Sequence, residues 1–218
     1  MSTVLSSPVP SVILTLFYSL VVVLGFLSMG FQLVANRLLT PYFGSSIIVW
    51  AWLISTFLAA FSLGSFAGGW VSRLQALRRF QLQVGSALLA VASFAYTSRF
   101  GRVSLDWIGD KYAFESPNTG LFLSCVALFF IPVTMLSSFG PQCVQYLAFR
   151  GTSPGAASGL IYGISTVGNI LGVMVTAFVL IPRAGVSTLL QIWLAVAFLS
   201  LGGLITLLRL ATRPPVSP

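Results

Sequence analysis

Ser28, Gln32 and Asn36 recur every four residues, so a helix through them carries a hydroxyl and two amides on one face. Ser138, Gln142 and Gln145 repeat the pattern further on, and Tyr162, Ser165, Thr166, Asn169 and Thr176 fill one broad helical sector. These side chains are neutral donors and acceptors. They suit two jobs: lining a polar cavity of the kind where transporters place a substrate, or hydrogen bonding between helices at roughly 1 kcal/mol each. The residues alone leave both open.

Harder chemistry lacks its parts. The chain has no His, and its three acids, Asp106, Asp110 and Glu115, all lie between 98 and 118. No general acid or base, metal-ligand set or cofactor motif is visible, so neither catalysis nor a cofactor is expected. Cys125 and Cys143 lie 18 residues apart in one apolar segment. On a single helix that separation is about 27 Å, beyond disulfide reach, and both read as buried thiols.

The elements that must hold these residues are membrane helices. Of 218 residues, 57% are hydrophobic and 6% are charged, whereas a soluble domain carries roughly 25% charged residues. The fold class is therefore all-α and membrane-embedded, a single transmembrane domain over 11–210 between tails at 1–10 and 211–218. Spans of about 20 apolar residues fall near 11–34, 47–71, 80–97, 119–140, 156–181 and 186–208. The polar stretch 98–118 reads as a surface loop. Within it Phe100, Val103 and Trp107 have helical spacing and suit a short helix lying in the membrane interface. With no basic residue before Arg37, a cleaved signal peptide is not expected.

The formal net charge is +8. The basic residues sit singly or in small groups between apolar runs, which fits charge at a membrane surface and excludes a nucleic-acid footprint. Arg73, Arg78, Arg79, Arg150, Arg209 and Arg213 fall on the side of both termini, against Arg37, Arg99, Arg102, Lys111 and Arg183 on the other. Six against five favours cytoplasmic termini, in a membrane such as the bacterial inner membrane.

A shift of 110 residues pairs 12–103 with 122–213 and leaves fourteen identical positions. Rare polar and special residues coincide: Gly30 and Gln32 with Gly140 and Gln142, Ile54-Ser55-Thr56 with Ile164-Ser165-Thr166, Arg73 with Arg183, Arg99 with Arg209. Units of three spans, about 11–103 and 120–210, would enter from opposite sides. That is an inverted 3+3 repeat, the plan of half a major-facilitator transporter. Gly64 with Gly68 and Gly168 with Gly172 form G-x-x-x-G pairs that let helices approach closely. The matched positions of Gly30 and Gly140-Pro141 suggest an interrupted helix beside a cavity.

Asn36-Arg37-Leu38-Leu39-Thr40-Pro41-Tyr42-Phe43-Gly44-Ser45-Ser46, leading to Trp50, resembles the first-helix motif of the fused major-facilitator/spermidine-synthase-like membrane proteins. The Gly64–Gly69 region ending near Arg73 is similar as well. So is the stretch from Gly159 to Gly172, followed by Leu180-Ile181-Pro182 and Gly185. The resemblance spans about 27–185. It implies the membrane half of such a protein, here stand-alone without an aminopropyltransferase domain, whose Gly-rich nucleotide motif and carboxylates do not occur. The family commonly has an acidic residue where this chain has Gln32, so the charge that would greet a cationic substrate is absent.

The expected function is a non-catalytic membrane subunit or anchor. Its partners would be the lipid bilayer and a second protein, either a larger membrane complex or a separately encoded synthase-like protein, with a homodimer as a further expectation and nucleic acid as none. The alternative is a small half-facilitator transporter of a neutral, lipid-like or polyamine-like molecule. Burying a polyamine's charges opposite amides and hydroxyls alone is costly.

Overall fold

A computed structural model describes residues 11–112 and 117–210. Six helices are long and apolar enough to cross a membrane: α1 (Ser11–Phe43), α2 (Ile47–Ser72), α3 (Ala76–Tyr112), α4 (Asn118–Phe149), α5 (Pro154–Arg183) and α6 (Val186–Leu210). The chain is an integral membrane protein of the all-α class. Its outer surface carries large apolar side chains such as Phe66, 74% exposed, Phe178, 72%, and Leu199, 70%, which only lipid or another protein can cover. The tails, Arg213 and Glu115 lie outside the described residues.

The connections are tight and chemically marked. Between α1 and α2, Gly44 takes φ 72°, which a residue with a Cβ seldom adopts. Ser46 then caps α2 by accepting a hydrogen bond from the Val49 N–H at 3.3 Å, satisfying one orphan donor of the first turn. Gly151, at φ 91°, turns the chain between α4 and α5.

The third span corrects the sequence expectation. In place of a short span at 80–97 and a loop, α3 is one 37-residue helix. Its buried positions Gln83, Ala87, Ala90, Phe94 and Thr97 continue as Gly101, Leu105 and Ile108. This spacing of three and four keeps one stripe against the bundle, so the backbone has no reason to turn where the outer face becomes charged. Arg99, Arg102, Asp106, Asp110 and Lys111 are exposed on that extension. Phe100, Val103 and Trp107 are exposed beside them, as part of α3 rather than of a separate interfacial helix.

The glycine positions expected to interrupt helices do not. α1 runs unbroken through Gly30. α4 passes Gly140-Pro141 and continues to Phe149, with an irregular turn at Ser138. Proline acts one span-half earlier instead. The helix widens to a π-helical turn over Val126–Phe130, immediately before Ile131-Pro132. Pro132 has no N–H to offer the Leu128 carbonyl, and the Thr97 hydroxyl of α3 donates to that carbonyl at 3.0 Å. A second π-helical turn, Thr176–Leu180, precedes Pro182 in α5.

α1 packs along α5, α2 along α4, and α3 along α6. Glycines set the first two pairs. A Cβ on Gly168 would overlap the Val22 carbonyl, one on Gly172 the Phe26 carbonyl, and one on Gly25 the Ser165 carbonyl. Across the bundle, Gly64 meets Thr134 and Ser137, and Gly68 meets the Ser138 carbonyl. All four G-x-x-x-G glycines lie at these close approaches. In the third pair, α6 buries Trp193, Ala197, Ser200, Leu204 and Leu207, the positions 110 residues beyond Gln83, Ala87, Ala90, Phe94 and Thr97 of α3. An aromatic cluster joins α1 to α2, α3 and α4: Phe31 lies 4.8 Å from Phe94 and 5.6 Å from Phe129, both edge-on, and 6.0 Å from Phe57.

Leucine at Gly68 or Gly172 would force backbones apart. Each substitution is expected to destabilise the bundle by about 2 kcal/mol or more, read as an earlier thermal unfolding transition in detergent. Leucine at Gly69, where a Cβ meets nothing within 4 Å, should leave the transition in place.

Candidate functional site

Where the α1–α5 pair faces the α2–α4 pair, the four helices leave a cavity of about 210 Å³. Its polar wall is Ser28 of α1, Ser65 of α2, Ser137 of α4, and Tyr162, Ser165 and Asn169 of α5. Leu24, Met29, Phe61 and Leu136 supply part of the apolar remainder. No charged side chain lines it.

Local helix chemistry fixes what the wall presents. The Ser28 hydroxyl donates to the Leu24 carbonyl at 2.8 Å, and Ser137 donates to the Thr134 carbonyl at 3.1 Å. Both protons are engaged with the preceding turn, so these hydroxyls offer lone pairs to the cavity. Among the described residues, the side chains of Tyr162, Ser165 and Asn169 have no hydrogen-bond partner. Asn169 reaches the cavity because α1 is close: its Oδ1 lies 3.1 Å from where a Cβ on Gly25 would stand. The cavity therefore presents one amide, one phenol and several hydroxyl acceptors in an apolar surround. Such a lining recognises a neutral polar group and penalises an ionic one.

Four of the sequence-selected polar residues meet here: Ser28, Tyr162, Ser165 and Asn169. The others do not. Gln32 lines an adjoining apolar crevice between α1, α2 and α5 that shares Met29 and Phe61 with the cavity. Asn36, a turn further, is half-buried with its Oδ1 unpartnered among the described residues. The Thr166 hydroxyl donates to the Tyr162 carbonyl at 2.7 Å on the exposed side of α5. Gln145 is half-buried outside the cavity.

Gln142 turns away from the cavity into the helix interface. Its Oε1 accepts from Gln83 Nε2 at 2.7 Å, and its own Nε2 donates to the Ser138 carbonyl at 2.9 Å. That bond closes the irregular turn of α4, so Gln142 serves the interhelix role. Gln83 was not singled out from the sequence, although an amide inside an apolar span was the available signal. A further buried polar group was missed. The Trp193 indole N–H donates to the Leu27 carbonyl at 3.0 Å. The Thr176 hydroxyl is fully buried, has no partner among the described residues, and stands 2.8 Å from a notional Cβ on Gly30. Gly30 is thus a packing glycine that makes room for Thr176 and Trp193.

Cys125 and Cys143 are free and buried. Among the described residues, no three His, Cys, Asp or Glu side chains lie close enough to hold a metal ion. Compared with known proteins, the chain matches no family model, no curated protein and no solved structure.

Leucine at Gln83 alone strands the Gln142 amide and is expected to cost about 1 kcal/mol. Leucine at both positions should recover most of that loss, because no buried amide is then left unpaired. A double-mutant cycle on thermal or denaturant unfolding measures the coupling.

Proposed function

We propose that the chain is a non-catalytic membrane subunit that docks another membrane protein along the outer face of α5. One observation carries this reading. Gly155, Gly159 and Gly163 form a stripe at spacing four where an added Cβ would meet nothing within 4 Å. Tyr162, half exposed, and Thr166, exposed, lie in the same ~100° arc of the helix. Gly168 and Gly172 point the opposite way, into α1. Lipid tails draw no benefit from a bare backbone or from a phenol and a hydroxyl, whereas a partner helix gains van der Waals contact and hydrogen bonds there.

The sequence resemblance supports the same role, since the membrane half of a fused synthase-like protein works beside a second protein domain. A separately encoded synthase-like protein, a larger membrane complex and a second copy are the partners this face would serve. The inverted repeat belongs to the proposal too. It is supported by the reciprocal pairing of α1 with α5 and α4 with α2, and by the coincident buried stripes of α3 and α6.

The uncharged cavity favours a second reading, a half-facilitator transporter for a neutral polar solute. The amide and phenol with unused hydrogen-bonding capacity support it. Reconstituted vesicles exposed to neutral polyols, amides and polyamines decide the matter. Uptake of a neutral solute, abolished by leucine at Asn169, is the expected result; uptake of polyamines alone would overturn it.

Leucine at both Gly159 and Gly163 should weaken partner capture in nanodiscs by roughly tenfold, equivalent to ~1.4 kcal/mol, without altering unfolding. A protein that stays solitary and gives no crosslink from Gly163→Cys under mild conditions would defeat the subunit reading. Cytoplasmic termini, in a bacterial inner membrane, complete the proposal. Cysteine at exposed Ser45 should then react with an impermeant maleimide added outside intact cells, and cysteine at exposed Ser153 should not.

A further inference from the structure

The basic side chains of the described residues divide sharply by environment. Arg79 lies over the Phe149 ring at 5.7 Å, Arg150 over Tyr146 at 4.7 Å, Arg209 over Phe80 at 4.5 Å and Lys111 over Trp107 at 4.9 Å. Arg183 donates to the Val179 carbonyl at 3.0 Å. Arg37 and Arg102 have no aromatic ring, no ion pair and no hydrogen bond to their guanidinium groups among the described residues. Unlike Arg73, Arg78 and Arg99, which are also unengaged, these two wall one cavity. It measures about 230 Å³ and is completed by Leu38, Pro41, Tyr42 and Val186.

The place of this cavity is set by two helix ends and the polar extension of α3. Arg37 and Tyr42 belong to the last turns of α1, beyond its long apolar run. Arg102 stands where α3 leaves the apolar segment. Val186 is the first residue of α6, so that helix brings backbone N–H groups without intrahelical acceptors to the wall, with the positive end of its dipole. Among the described residues, no acidic side chain lines the cavity. Asp106, one turn beyond Arg102, is not in the lining but faces the hydroxyl of Tyr42, which is; that hydroxyl also donates to the Arg102 carbonyl at 3.5 Å. Here the apolar spans give way to charge, the level at which a bilayer crossed by these helices would present its phosphates.

We infer that Arg37 and Arg102 form a binding site for a phosphate group at this membrane surface. Two arginines with forked guanidinium donors and the first residue of a helix line one small concavity, a set of groups that suits the tetrahedral oxygens of a phosphate. A phospholipid headgroup and a soluble phosphate share this chemistry. Leu38, Pro41 and Val186 add an apolar flank beside the arginines, which favours the lipid as the source.

Native mass spectrometry of the intact protein, released from detergent, tests the site. Phosphatidylglycerol, the uncharged lipid diacylglycerol and inorganic phosphate are added separately. The wild-type chain should retain phosphatidylglycerol or inorganic phosphate but not diacylglycerol. Arg37→Gln and Arg102→Gln should each lower that retention by about tenfold, the loss of one charged hydrogen-bonding partner, and the double variant should abolish it. Arg99→Gln, one turn away and outside the cavity, should retain what the wild type does. Retention of phosphatidylglycerol alone identifies a lipid site, and retention of inorganic phosphate identifies a soluble one. Val186→Asp, which keeps both arginines and adds a carboxylate to the wall, gives an independent reading should the double variant aggregate, and it too should lose the ligand. Equal retention by the double variant and wild type, or equal losses in Arg99→Gln and Arg102→Gln, would overturn the assignment.

Discussion

Backbone-to-backbone contact at glycine is the interaction on which this bundle rests. Inside a bilayer, apolar side chains gain little by leaving lipid for protein, so helices associate where their backbones can touch. Gly25, Gly168 and Gly172 bring α1 onto α5, and Gly64 with Gly68 brings α2 onto α4. The space between the two pairs cannot be closed by the same means, and the uncharged cavity occupies it. Its position follows from which helices are drawn together, and its polarity from the serines and Asn169 that flank the contact glycines.

The second constraint is that backbone polar groups must be satisfied without water. Pro132 removes one donor from α4, and the bundle answers with a widened turn and the Thr97 hydroxyl. The irregular turn at Ser138 is answered by Gln142, whose amide holds the Ser138 carbonyl while Gln83 holds Gln142. The Trp193 indole adds a second donor to the Leu27 carbonyl in α1. Much of the polar content of the interior is therefore committed to holding irregular helix geometry. That leaves Ser65, Tyr162, Ser165 and Asn169 as the cavity-lining groups with unused hydrogen-bonding capacity among the described residues.

Charge is confined to the ends of the bundle, and its distribution there is uneven. At the end that holds the α2–α3 and α4–α5 connections, three arginines lie against aromatic rings and serve to anchor helix ends. At the other end Arg37 and Arg102 wall a cavity and, among the described residues, lie over no aromatic ring. A protein that excludes charge from its interior can still use it for recognition at the surface, where water and headgroups reduce the desolvation cost. The proposed subunit role and the proposed phosphate site thus draw on different parts of the fold, the outer face of α5 and the α1–α3–α6 end.

Composition and periodicity determined the membrane class, the six spans, the contact role of Gly64, Gly68, Gly168 and Gly172, and the polar faces from which the cavity draws Ser28, Ser165 and Asn169. These are local properties: an apolar run long enough to span, or a small residue every fourth position, has its meaning within one helix. Tertiary structure decided what each face meets. It sent Gln142 to Gln83 instead of the cavity, left Gln32 in an outer crevice, and seated Trp193 and Thr176 around Gly30. It also separated the two glycine faces of α5, one buried on α1 and one open, which no spacing in the sequence distinguishes. α3 outran its apolar segment because a single buried stripe continues past the point where the outer face turns polar. Average hydropathy registers the outer face as well as the inner, and the neighbouring helices determine which is which.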